Sequence, residues 1–116
     1  MIAGDTSENV DHREKCPIVQ SIRTIGGEWN TIIIRYLLDR PMGFNELLRT
    51  NDRMNSKTLS RSLKNLQEAG IVERKVLSTQ PFSVQYSLSE KGLALRPVFS
   101  ALGEWAEKCA QGEVPA

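Results

Sequence analysis

A chain of 116 residues with 15 Lys+Arg, 14 Asp+Glu and a net charge of +1 is one domain, with a core modest enough that dimerisation would help its stability. No apolar run approaches the ~20 residues of a membrane span, and the N-terminus lacks the basic-then-apolar layout of a signal peptide, so a soluble, cytoplasmic protein is expected. A glycine-rich phosphate loop, a histidine beyond the first fifteen residues and paired carboxylates on a recognisable scaffold are all missing, which argues against an enzyme; His12 with one nearby cysteine makes no metal site, and no cofactor is implied.

In chain order, residues 1–15 are polar, mixed in charge and without periodicity, and are expected to form a flexible arm. Pro17 suits the first turn of a helix that runs through Ile18, Val19, Ile22 and Ile25 and stops near Gly26-Gly27. Trp29 to Leu38 reads as a second helix. Its apolar residues (Trp29, Ile32, Ile33, Ile34, Tyr36, Leu37, Leu38) are so dense that most of its surface must be buried, and core packing outweighs a ligand pocket as the role of its aromatics. Pro41 ends it, Gly43 allows a turn, and Asn45 is the expected cap of a short third helix.

Residues 43–88 are the most informative stretch. A longer helix starts after Asn55, whose side-chain oxygen can satisfy a free backbone N–H, and stops at Gly70, a typical residue just past a helix end. At about 100° per residue, Leu59, Leu63, Leu66 and Ala69 share one side, while Lys57, Arg61 and Lys64 stack on the other. One side can anchor in a core while the other is offered to phosphates and base edges, which is what a recognition helix needs. Ile71 to Leu77 is rich in β-branched residues and carries Arg74 and Lys75. Phe82, Val84, Tyr86 and Leu88 alternate with Ser83, Gln85 and Ser87 as in a half-buried strand, and Ser78-Thr79-Gln80-Pro81 is the expected connection. A basic helix followed by a two-stranded ribbon is a winged helix-turn-helix. Charge follows the same boundary: residues 49–75 hold seven bases and three acids, a net +4, and the rest of the chain is −3.

Beyond the ribbon, Ser89 is a plausible cap for a last helix reaching about Ala110, with Pro97 inside it expected to bend it or break a hydrogen bond. Leu93, Val98, Phe99, Leu102, Trp105 and Ala106 form its apolar stripe. A short tail, 111–116, follows. The expected organisation is a flexible arm at 1–15, a winged helix-turn-helix domain with dimerisation helices at 16–110, and the tail; the fold class is mainly α with a small β-hairpin wing.

Cys16-Pro17, Gly26-Gly27-Glu28-Trp29, Phe44-Asn45-Glu46-Leu47, Lys57-Thr58-Leu59, Gly70-Ile71-Val72-Glu73-Arg74, Tyr86-Ser87-Leu88, Leu95-Arg96-Pro97 and Trp105 together resemble the HxlR-type regulators, winged-helix relatives of the MarR family, over about residues 16–108. Three positions depart from the pattern: Glu28 where the family usually has lysine, Gln85 where an acid is usual, and Phe82 where a second proline is common. The resemblance implies a homodimer built from the N- and C-terminal helices, for which Ile18, Ile22, Phe99, Leu102 and Trp105 are interface candidates.

The expected function is sequence-specific transcriptional regulation on double-stranded DNA, as a homodimer on an inverted-repeat operator, with no membrane partner. Ser56, Lys57, Thr58, Ser60 and Arg61 are candidates for the major groove, Arg61 being best suited to a bidentate contact with guanine. Arg49, Arg53 and Lys64 are expected on phosphates, and Arg74 and Lys75 on the wing beside the duplex. A winged-helix module that binds protein and reads no DNA is the alternative; its sign would be loss of the basic face, and that face is present. No residue pattern names a small-molecule effector, an operator sequence or the direction of regulation. Of the two cysteines, Cys16 lies at the start of the first helix, where the positive end of the helix dipole and nearby Arg13 and Lys15 favour a thiolate. The resemblance implies redox or electrophile sensing at this position in some members and none in others, so a reduced, inert Cys16 stays open. Cys109 lacks such a setting and is at best a resolving partner.

Overall fold

The computed structural model describes residues 16–112; the expected arm at 1–15, with His12, Arg13 and Lys15, and tail residues 113–116 lie outside the described residues. Helix α1 (Pro17–Ile25) has Cys16 as its N-cap residue and Pro17 at its first position, where the missing N–H leaves no helical bond unmade. Helix α2 (Glu28–Asp39) is the centre of the core and buries Ile33, Ile34, Leu37 and Leu38. Strand β1 (Met42–Gly43), helix α3 (Phe44–Leu48), helix α4 (Ser56–Glu68), strands β2 (Val72–Thr79) and β3 (Phe82–Leu88), and helices α5 (Glu90–Leu93) and α6 (Arg96–Ala110) follow.

The sheet is antiparallel with order β1-β3-β2. Leu47 from α3, Met54 from the turn, Leu59, Leu63 and Leu66 from α4, Ile71 and Val72, and Tyr86 and Leu88 close over α2 as one buried cluster. Removing that much apolar surface from water is the dominant stabilising term. The mainly helical winged architecture expected from the sequence is therefore present.

Four local expectations change. Strand β1 was not anticipated: Met42 and Gly43 pair with Tyr86 and Gln85, adding a third strand to the ribbon. Helix α3 starts two residues earlier than an Asn45 cap implies. Its N-cap is Gly43, whose N–H donates to Glu46 Oε1 at 3.0 Å, and Asn45 is already inside the helix. The hairpin connection is shorter than Ser78–Pro81, because Ser78 pairs with Ser83 and Thr79 with Phe82, leaving only Gln80 and Pro81 in the turn. Their peptide bond is cis, the arrangement of a type VI turn. Finally, Ser89 caps only the four-residue α5, accepting from Gly92 N–H at 3.1 Å, and the long last helix begins afresh at Arg96. Pro97 is the reason: it has no N–H to give the Leu93 carbonyl, so the break falls at Ala94-Leu95, one turn upstream.

The junction behind the wing is stitched to the end of α4. Ser89 Oγ donates to the Gly70 and Ile71 carbonyls, and Lys91 Nζ donates to the Ala69 carbonyl at 2.8 Å. Gly92 is buried there against Ile71 O and Leu88, and a Cβ would collide with both. Arg96 Nη2 ties α6 to the C-terminal end of α2 through the Leu38 carbonyl at 2.7 Å.

Candidate nucleic-acid interface

Helix α4 is held at both ends by local bonds that its sequence encodes. Asn55 Oδ1 accepts from Thr58 N–H at 2.8 Å. At the other end Gly70, with φ +77°, donates to the Gln67 carbonyl and Ile71 donates to Leu66, closing the helix with a Schellman motif that requires a left-handed residue. Between these caps Leu59, Ser62, Leu63 and Leu66 are buried. Ser56, Lys57, Ser60, Arg61 and Lys64 are exposed on the opposite side; Thr58 is half-buried. The two faces expected from the sequence are thus the two faces observed.

Met54 fixes the turn in front of α4. Its side chain is buried and its N–H donates to the Asn51 carbonyl, while Asn51 Oδ1 accepts from Arg53 N–H. The Arg53 side chain turns back to the start of α2: Nη2 lies 2.8 Å from Glu28 Oε2, and the guanidinium carbon sits 5.6 Å from the Trp29 ring centroid. The phosphate role expected for Arg53 therefore has an internal competitor, a carboxylate 25 residues upstream that local sequence reading could not find.

A cleft of about 400 Å³ lies between α3 and the wing, lined by Asn45, Glu46, Arg49, Arg74, Phe82 and Ser83 among others. It brings together Arg49 and Arg74, residues far apart in the chain. Strand alternation sends neighbouring side chains to opposite faces, so Lys75, paired with Gln85, is on the other side of the ribbon from Arg74, paired with Tyr86. The wing thus offers one cation per face. Phe82, expected to turn inward with Val84 and Tyr86, is 65% exposed at the wing tip because the sheet outruns the core there. Lys57, Arg61, Lys64, Arg74 and Lys75 form no ion pair among the described residues, which leaves their charge available to a polyanion.

At the base of the cleft, the Gly43 N–H and then the Arg40 guanidinium, 2.9 Å away, hold the Glu46 carboxyl below the usual carboxylate range. Glu46 is thus a fixed anion that caps α3 and orients Arg40.

Away from the basic face of α4, α1 and α6 bury none of their residues. Ile18, Ile22, Leu102 and Trp105 are more than half exposed. Phe99 differs from these four: it is half-buried, packed on the chain's own core, and lines a cleft with Ile32 and Tyr36. Cys16 and Cys109 are free thiols, each partly buried. No helix among the described residues is long and apolar enough to cross a membrane.

Comparison with known proteins agrees with this geometry. The profile of the HxlR-like helix-turn-helix family matches residues 24–113. The HTH-type transcriptional regulator YodB of Bacillus subtilis (strain 168) is 40% identical over 100 residues, covering 84% of this chain and 89% of YodB. The reduced form of YodB superposes with a TM-score of 0.72, covering 80% of this chain and 92% of that one. Its diamide-treated and quinone-bound forms give TM-scores of 0.68 and 0.69. The redox regulator HypR in its oxidised form is 34% identical with a TM-score of 0.74, covering 80% of this chain and 96% of its own.

Proposed function

The chain belongs to the HxlR-like helix-turn-helix family of transcriptional regulators, and from that premise we propose that it works in the cytoplasm as a homodimer that reads an inverted-repeat operator. The observation that carries this reading is helix α4, capped at both ends, with Leu59, Leu63 and Leu66 in the core and Lys57, Arg61 and Lys64 facing out just ahead of a wing. In such a dimer the N-terminal turns of two α4 helices enter successive major grooves, roughly 34–36 Å apart. Ser56, Lys57, Ser60 and Arg61 approach base edges, with the half-buried Thr58 contributing less. Lys64 and the Arg49–Arg74 cleft hold backbone phosphates, and Lys75 adds charge on the outer face of the wing. Ile18, Ile22, Leu102 and Trp105 form the contact between the two copies, continuing onto the half-buried Phe99.

Cys16 is the proposed signal input. It is the N-cap residue of α1, one of the two helices assigned to the dimer contact, and the related YodB and HypR have been captured in reduced and chemically altered or oxidised forms. With diamide as oxidant, two thiols lose two protons and two electrons to the reagent. The product is a disulfide from Cys16 to Cys16 or Cys109 of the second copy, which shifts the two reading helices out of register with the operator.

Operator binding to the protein's own upstream duplex at fixed salt, with and without diamide, tests both parts. Arg61→Ala is expected to lose about 1–3 kcal/mol and to relax sequence preference. Cys16→Ser is expected to bind as wild type does but to ignore diamide. Unchanged affinity in the Arg61 variant removes the assignment of the reading face, and an equal diamide response in wild type and Cys16→Ser removes Cys16 from the mechanism.

A further inference from the structure

Arg53 stands two residues ahead of Asn55, the cap of α4, so its side chain starts beside the helix end that the proposed function places in the major groove. The backbone there is fixed: Arg53 N–H is held by Asn51 Oδ1 at 2.9 Å and Met54 is buried. The side chain is not. It is 68% exposed, held by one hydrogen bond to a carboxylate that is itself 58% exposed, and by its contact over the Trp29 ring, 5.6 Å from the centroid. A guanidinium has five N–H donors, of which this arrangement uses one. An exposed pair of this kind contributes little stability, whereas a duplex lays down a row of phosphates for which guanidinium is the preferred partner.

We propose that Glu28 sets the DNA affinity of this protein by competing for Arg53. In the free protein the Glu28 carboxylate occupies the guanidinium in place of a phosphate. On the operator, Arg53 swings from Glu28 to a backbone phosphate beside the α4 N-terminus, leaving the Glu28 carboxylate uncovered at the edge of the polyanion. The carboxylate therefore weakens binding twice, by holding the cation back and by repelling the duplex. This inference rests on the DNA-reading assignment, and the experiment separates the two.

The test measures operator affinity over a range of salt for wild type, Glu28→Gln, Arg53→Gln and the double variant, with circular dichroism confirming the fold of each; both substituted positions carry exposed side chains. Glu28→Gln is expected to bind about two- to fivefold tighter than wild type, the range an exposed ion pair can withhold. In the Arg53→Gln background the same change should gain clearly less, since only the repulsion remains. Arg53→Gln should reduce the slope of log affinity against log salt by about 0.9, one phosphate's worth of counterion release. Equal gains from Glu28→Gln in both backgrounds, weaker binding by Glu28→Gln, or a wild-type salt slope in Arg53→Gln overturns the proposal. If wild type binds its upstream duplex and responds to Arg61→Ala but not to Glu28→Gln, this inference alone fails. If wild type binds no duplex, the DNA reading fails and takes this inference with it.

Discussion

Helices α4 and α6 have nearly the same length, 13 and 15 residues, and both are amphipathic, yet α4 buries four side chains and α6 buries none. The chain spends the apolar face of α4 on its own core, where Leu59, Leu63 and Leu66 meet α2, Ile71 and the sheet. The stripe on α6 touches that core through Phe99, beside Leu95 at the helix N-cap, and leaves Val98, Leu102 and Trp105 in solvent. An exposed helix face carrying a tryptophan is surface that a second molecule can cover. The contrast divides the molecule in two: residues that specify the monomer fold, and apolar residues that this fold leaves uncovered.

The sharpest way to break that division is to truncate one apolar side chain in each helix. Leu63→Ala leaves a cavity in a site that is 1% exposed and should cost about 2–5 kcal/mol in urea unfolding. Trp105→Ala should leave the fold intact, as judged by circular dichroism, but weaken self-association by about 2 kcal/mol, roughly thirtyfold in the dimer Kd by sedimentation. A large stability loss with unchanged association in the Trp105 variant would merge the two regions into one core. Asn55→Ala probes the seam between buried and offered faces. Losing the bond to Thr58 N–H should cost about 0.5–2 kcal/mol of stability. The smallest effect concerns Glu46. Its carboxyl is held below its ordinary range by Gly43 N–H and Arg40, so its folded-state pKa lies below the unfolded one. Its contribution is present above the unfolded pKa and disappears as pH falls through the folded value. Glu46→Gln should therefore reduce stability slightly at neutral pH and flatten the acid limb of the stability curve, whereas an unaltered acid limb would assign that titration elsewhere.

What the sequence revealed and what it concealed follow from the range of the interactions. Asn55 and Gly70 announce the ends of α4 because a cap is made by residues three or four positions apart. The basic, exposed face of α4 was legible for the same reason, since a helix period depends on nothing beyond the helix. Strand β1 was hidden because two residues have no period, and Met42 becomes a strand only through Tyr86, far along the chain. The split between α5 and α6 was half legible. Pro97 announced a disturbance, but a proline interrupts the bond to the residue four back, so the break lies before it. The tie between Arg53 and Glu28, and the meeting of Arg49 with Arg74, are products of tertiary folding that no window on the sequence contains.

The bonds from Ser89 and Lys91 to the last carbonyls around the end of α4 have a mechanical consequence. They pin the root of the wing at the point where the chain both enters and leaves it, and β1 clamps β3 as far as Gln85, so only the tip of the ribbon beyond Lys75 is free to tilt. Strand β2 runs four residues past Lys75, to Thr79, and at about 3.4 Å per residue that free arm is about 14 Å long. A tilt of about 5° there would sweep the tip by about 1 Å, enough to part a hydrogen bond whose length tolerates a few tenths of an ångström. Helix α6 begins a few residues beyond that root and is anchored to α2 by Arg96. The root of the wing and the start of the helix carrying Trp105 are thus fixed by one short run of chain, residues 89–96.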